Sequence, residues 1–177
     1  FMLDTAPFYA KYLHDMATEQ TARSGAVPNV VPSFGMQGCS SVWGDAATII
    51  PWTVYEQTGD TAILTAQYES MKAWVDYITM VDGDTCHWRD VFHYGDWLAL
   101  DMAGAAPDNT KGATDDAFIA DVYYMNSAEI VADTAAVLNK SYDAAQYAAL
   151  ASRLRDRIKQ EFYTPTGRCA VPTQTGY

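Results

Sequence analysis

Cationic side chains are scarce in this sequence: 11 Lys and Arg stand against 22 Asp and Glu, a net charge of -11. A phosphate backbone is bound by clustered Lys and Arg that release counterions, so nucleic acid is excluded as a partner. Cysteine is scarcer still. Cys39, Cys86 and Cys169 are odd in number, far apart and never spaced as C-x-x-C, so free thiols are expected rather than a zinc site or a disulfide framework. An initiator Met, a charged-then-apolar leader and an apolar run of membrane-spanning length are all lacking. The chain is therefore expected to be soluble as it stands, with no membrane partner and any export signal outside it. Metal motifs are missing too. His87 and His93 flank Asp90 at a spacing that fits no compact zinc motif, and Asp82-Gly83-Asp84 lacks the later ligands of a calcium loop. No metal and no cofactor are expected. Strand-like alternation of useful length is absent as well.

What is present is helical. With 177 residues, 49% of them hydrophobic, the chain is long enough for one domain with a real core. Phe8, Tyr9, Tyr12, Leu13 and Met16 share one face of a first helix, expected over 1–23. A second is expected over 44–58, kinked near Ala47 by Pro51, and Gly59-Asp60 closes it and caps the next in a very short turn. Ile63, Leu64, Met71, Trp74, Val75 and Ile78 mark a third helix to about residue 80, and Phe118, Val122, Met125 and Ala128 a fourth over 117–138. After another short turn, Tyr147, Leu150, Leu154, Ile158 and Phe162 mark a fifth that ends before Pro165. The heptamers beginning at Thr65 and Ala144 echo each other at the openings of the third and fifth helices, which fits a repeated helical hairpin.

Two connections are long. Residues 25–41 carry two prolines and three glycines, and 82–116 lose helical periodicity apart from a possible turn at 97–100. Long loops in compact domains are usually put to use, and the second holds the densest aromatic and ionisable cluster, from His87 to Trp97. The connections alternate long, short, long, short, so in an up-and-down array both long ones lie at one end. Trp43 and Asp45 are then expected on the same rim as Tyr94, Asp96 and Trp97, and a concave place lined by aromatics and carboxylates suits a small ligand.

The stretch from Ser40 to Trp52 supports two readings. An indole covers the apolar C–H face of a pyranose while a carboxylate accepts from its hydroxyls, so Trp43, Asp45 and Trp52 suit a sugar. Alternatively Asp45 caps the following helix and both indoles are core.

Read together, several segments resemble the catalytic domain of bacterial α-L-rhamnosidases, glycoside hydrolases built on an (α/α)6 toroid. They are Gly25-Ala26-Val27-Pro28-Asn29-Val30-Val31-Pro32, Trp43-Gly44-Asp45-Ala46, Pro51-Trp52-Thr53-Val54-Tyr55 with Gly59-Asp60, the run from Tyr68 to Tyr77, Gly95-Asp96-Trp97-Leu98, and Thr173-Gln174-Thr175. They follow the family's order over nearly the whole chain. The resemblance implies an all-α fold, part of a toroid of antiparallel helical hairpins, with 1–177 an incomplete catalytic domain supplying about five of twelve helices. It implies an inverting hydrolase that removes terminal rhamnosyl groups from a glycan or glycoside, and the remainder of a parent chain as partner. In that family the general-acid glutamate precedes the helix with which this chain begins, and the base lies well downstream of the Thr-Gln-Thr segment. No catalytic residue is therefore expected here, and the segment alone is expected to be inactive. The resemblance assigns Asp45 to the sugar hydroxyls and Trp43, Trp52 and Trp97 to the aromatic lining, beside Tyr94 and Asp96 on the rim. A core role is the alternative for Trp52 and Trp97, and a backbone-fixing role for Asp96.

Glu19, Glu56, Glu69, Glu129 and Glu161 all fall on expected helices and read as solvated faces, although Glu129 could turn inward in a toroid. Another toroid glycosidase, acting on glucosides, trehalose or uronides, would share this fold. A non-catalytic helical interaction module would share the stripes without gathering aromatics and acids on one rim.

Overall fold

The computed structural model describes residues 5–36, 38–99 and 110–177. Its helices are α1 (Ala6–Thr21), α2 (Ala46–Thr58), α3 (Thr61–Asp82), α4 (Asp116–Val137) and α5 (Ser141–Phe162), with a 3-10 turn at His87–Asp90 between α3 and α4. The expected boundaries are met within about two residues, except that residues 1–4 of the first helix lie outside the described residues. The expected turn at 97–100 is replaced by an antiparallel bridge from Trp97 to Lys111, and Leu100 lies outside the described residues. Among the described residues no helix is long and apolar enough to cross a membrane.

Local chemistry accounts for the short turns. Gly59 takes φ 71°, a left-handed conformation that a side chain would penalise, and its N–H returns to the Tyr55 carbonyl at 2.7 Å. Asp60 then accepts from the Ala62 N–H at 2.8 Å and opens α3. Asn139, at φ 59°, separates α4 from α5 in the same way.

The helices differ in how much of their circumference is buried. In α4, Phe118, Ile119, Ala120 and Asp121 are buried in succession and burial recurs through Ala135, so most of its circumference is covered, with Val122 and Met125 half-buried along an open groove and Asp133 exposed. Buried residues of α5 form one stripe: Tyr147, Ala151, Leu154, Ile158 and Phe162. α4 packs on α5, α3 and α2, α2 and α3 pack on each other, and α1 packs on both of these. The sequence echo has a structural counterpart here. Tyr68 of α3 donates to Asp143 of α5 and Tyr147 of α5 donates to Asp76 of α3, both at 2.6 Å. Burial and then the facing carboxylate push both phenols upward, so they remain donors.

Trp74 and Trp88, both buried, meet edge to face at 5.7 Å in the centre of the core. Gly44 makes that packing possible, since a Cβ there would lie 2.4 Å from the Trp74 indole. Gly44→Ala is therefore expected to displace the indole and cost about 1–3 kcal/mol, read as a lower urea midpoint at unchanged slope. An unchanged midpoint would contradict this packing.

Candidate functional site

The two long connections meet at one end of the helices. The Ser41 N–H donates to His93 Nδ1 at 3.1 Å, joining the first connection to the second. Two residues further on, Trp43 lies against Tyr94 with ring centres 4.6 Å apart and planes 28° apart, and 5.6 Å from Trp97. Tyr94 and Trp97 are 5.5 Å apart, which closes an aromatic triad, and Phe92 abuts Tyr94 edge-on at 5.1 Å. Trp97 is 46% exposed, so one aromatic surface of the triad is open to a ligand.

A short antiparallel pairing holds Trp97 out at the rim. The Leu98 N–H reaches the Thr110 carbonyl at 2.5 Å and the Gly112 N–H reaches the Asp96 carbonyl at 2.7 Å. Gly95 lets the chain enter this pairing: its φ is 62°, and a Cβ there would lie 2.1 Å from an Asp116 carboxylate oxygen. The C-terminal segment completes the floor. Asp96 accepts from Thr114 Oγ1 at 2.6 Å and from Thr175 Oγ1 at 2.8 Å, while Thr114 and Thr173 share a hydroxyl contact of 2.7 Å. Asp96, Trp97, Thr173, Gln174 and Thr175 line an open depression of about 690 Å³. The Trp97 indole beside threonine hydroxyls and one carboxamide can cover an apolar ligand face and satisfy hydroxyls at its edge.

Asp45 departs from the capping reading. Its side chain has no exposed surface and makes no capping bond to α2. One carboxylate oxygen accepts from Trp74 Nε1 at 2.8 Å and Ser127 Oγ at 2.6 Å, and the other from the Val42 N–H at 2.7 Å. Burial pushes this carboxyl upward against the pull of those donors. With its oxygens engaged by donors inside the protein, Asp45 organises the loop that presents Trp43. Val42 sits at φ 72°, which a β-branched residue rarely adopts, and Asp45 fastens that turn through its N–H.

The remaining assignments divide. Trp43, Tyr94 and Trp97 come together, and Trp97 is exposed rather than core. Trp52 is half-buried against the core with Tyr55 as its ring neighbour at 5.3 Å, and it has no ring contact with the triad. Asp96 stands at the depression, but both its carboxylate oxygens accept from threonines, consistent with the alternative of fixing its own loop.

Sequence reasoning passed over an ionic knot beneath the rim. Asp121 of α4 is fully buried and accepts from Arg89 of the 3-10 turn and, at 2.5 Å, from Arg157 of α5. Arg157 also reaches Asp82 at the end of α3 at 2.8 Å, and Arg89 reaches Glu161 at 2.6 Å. Four elements are thus pinned below Tyr94. The only sequence signal was an aspartate within the apolar face of a helix. Glutamates read as solvated also prove engaged: Glu19 accepts from the Ser33 N–H at 3.0 Å, and Glu129 pairs with Arg155 of α5 rather than turning inward. Among the described residues no group of three or more His, Cys, Asp or Glu could hold a metal ion.

The family model described as bacterial alpha-L-rhamnosidase 6 hairpin glycosidase domain matches residues 1–177. An α-L-rhamnosidase of Alteromonas sp. is 33% identical over 164 residues, which are 92% of this chain and 18% of that protein. The native α-L-rhamnosidase from Aspergillus terreus superposes with a TM-score of 0.88 at 33% identity, over 98% of this chain and 20% of its own. The Streptomyces avermitilis α-L-rhamnosidase complexed with L-rhamnose gives 0.80 at 30% identity, over 98% and 16%. The chain spans about a fifth or less of the length of these relatives.

Proposed function

Since the chain belongs to the bacterial α-L-rhamnosidase six-hairpin glycosidase family, we propose that it is part of an inverting hydrolase that removes terminal α-L-rhamnosyl groups. One observation carries the proposal: the triad of Trp43, Tyr94 and Trp97 stands beside a depression floored by Gln174 and Thr175. A 6-deoxy sugar has an apolar methyl and C–H face for the indoles and ring hydroxyls for the floor. The relative crystallised with L-rhamnose supports the choice of sugar.

In this reading the segment recognises the sugar and does not cleave it. Inversion needs an acid and a base roughly 6.5–9.5 Å apart on opposite faces of the bond. Asp45 and Asp96 are engaged through both carboxylate oxygens by donors of the protein itself, and Glu19, Glu129 and Glu161 are held by Ser33, Arg155 and Arg89. The acid and base then come from the remainder of a parent chain. A largely apolar groove of about 680 Å³ along α4 and α5, lined by Phe118, Val122, Met125 and Ile158, gives such a chain a place to pack.

Calorimetry with L-rhamnose, glucose and glucuronate, on the parent protein and its Trp97→Ala variant, tests the reading. Rhamnose is expected to bind in preference to the other two, and Trp97→Ala to weaken it about tenfold, near 1.4 kcal/mol. An equal response to all three sugars removes rhamnose from the proposal. Separately, turnover of an aryl α-L-rhamnoside by the isolated 177-residue chain would refute the placement of acid and base elsewhere.

A further inference from the structure

We infer that His93 is the positioning residue of the aromatic triad, and that its neutral imidazole holds Trp43 against Tyr94 while its protonated form releases them. The inference concerns assembly of the triad and stands whether or not rhamnose is the ligand.

The partners fix the tautomer. His93 Nε2 faces the Trp88 carbonyl at 2.7 Å, and a carbonyl can only accept, so Nε2 carries the proton. Nδ1 is then bare and accepts from the Ser41 N–H at 3.1 Å, with Ser41 Oγ also at 3.1 Å. His93 and Ser41 are both buried, which keeps water from substituting for either contact.

The position of this bond gives it leverage. Tyr94 follows His93 directly, and Trp43 lies two residues beyond Ser41, so the stacked rings sit just outside the link between their chains. The same link closes a circuit through the core. His93 packs edge-on against Trp88 at 4.8 Å, Trp88 meets Trp74, Trp74 donates to Asp45, and Asp45 holds the Val42 N–H beside Ser41.

Protonation at Nδ1 would set one N–H against another. The Ser41 hydroxyl can turn to accept, but the buried Ser41 N–H is left without an acceptor and the circuit opens at that point. Two charged groups bear on the ring: Asp116 at the start of α4 favours the cation, and Lys111 on the paired strand opposes it. Burial, with Lys111, outweighs the upward pull of the Trp88 carbonyl and Asp116 and holds the imidazole below the ordinary histidine range. The sign follows directly. The folded state favours the neutral ring, so the contact stays whole through the ordinary value of about 6.5. Its stabilising contribution declines below that value as the unfolded chain takes up the proton, and the contact itself breaks only as pH falls through the lower folded value.

The test is a titration of the full chain from about pH 8 to pH 4.5, following ¹⁵N-histidine shifts, near-ultraviolet circular dichroism of the triad and far-ultraviolet helix content together. His93→Asn, which keeps an uncharged acceptor, assigns the His93 resonances and serves as the non-titrating control. The expected result is a bare Nδ1 at the alkaline end, followed by loss of the near-ultraviolet signal in step with protonation while helix content holds. In His93→Asn that step should be missing. A triad signal that persists after His93 has protonated, or the same acid step in His93→Asn, would overturn the inference.

Discussion

Asp45→Ala is expected to cost roughly 2–6 kcal/mol and to dissolve the aromatic triad, because the buried Trp74 indole N–H and the half-buried Val42 N–H lose their acceptor and the Ser127 hydroxyl loses one of its two partners. Each unsatisfied donor costs ~1–3 kcal/mol, and a domain holds only about 5–15 kcal/mol in all, so the variant should be largely unfolded at moderate urea. The side chain itself is small, so lost apolar packing contributes little beside the orphaned Trp74 indole N–H and Val42 N–H, while the Ser127 hydroxyl keeps Thr48 Oγ1 at 2.7 Å. Asp45→Asn separates the terms. Its carboxamide oxygen can still accept, but its NH₂ must face a donor, and an intermediate loss is expected. Equilibrium urea unfolding followed by fluorescence measures both variants. If Asp45→Ala unfolded at the parent midpoint but lost sugar affinity, Asp45 would be a ligand contact after all.

The second large effect lies one layer below. Asp121→Ala removes the shared carboxylate between Arg89 and Arg157 and leaves two guanidinium groups confronting each other below the rim. Breaking a buried pair by deleting one partner typically costs about 3–5 kcal/mol, and because Arg89 keeps Glu161 and Arg157 keeps Asp82 the loss here is expected at the lower end of that range. The 3-10 turn at His87–Asp90 depends on that anchor and leads directly into His93 and Tyr94. Loss of the near-ultraviolet signal is therefore expected along with the drop in midpoint. Glu161→Ala is the control. Glu161 contacts the same Arg89 with 47% of its side chain exposed, and removing an exposed partner should cost under about 1 kcal/mol. Equal losses in the two variants would contradict the claim that burial makes Asp121 decisive.

Helix periodicity and connector length made most of this architecture readable in advance. Gly59 and Asp60 announced the tight turn, and the alternation of long and short connections placed Trp43 beside Tyr94 and Trp97, which the ring contacts bear out. Side-chain direction was not readable. Whether Asp45 faces solvent or core is decided by Trp74 and Ser127, 29 and 82 residues away in the chain, and no local pattern reports them. The same holds for Asp121, whose arginines lie 32 and 36 residues away. Trp52 illustrates the converse: an aromatic in a sugar-like motif whose helix face turns it to Tyr55 and the core. His93 carried no sequence signal beyond a spacing to His87 that fits no zinc motif, and it is buried because its two ring nitrogens match one donor and one acceptor from different segments.

The central claim is that two distant connections build one sugar-recognising rim, and the five tryptophans report on it directly. L-rhamnose titrated into the ¹⁵N-labelled protein is predicted to shift the indole N–H resonances of Trp43 and Trp97 and to leave those of the buried Trp74 and Trp88 in place. Movement of Trp74 and Trp88 without Trp43 and Trp97, or an equal response to glucose, would contradict it.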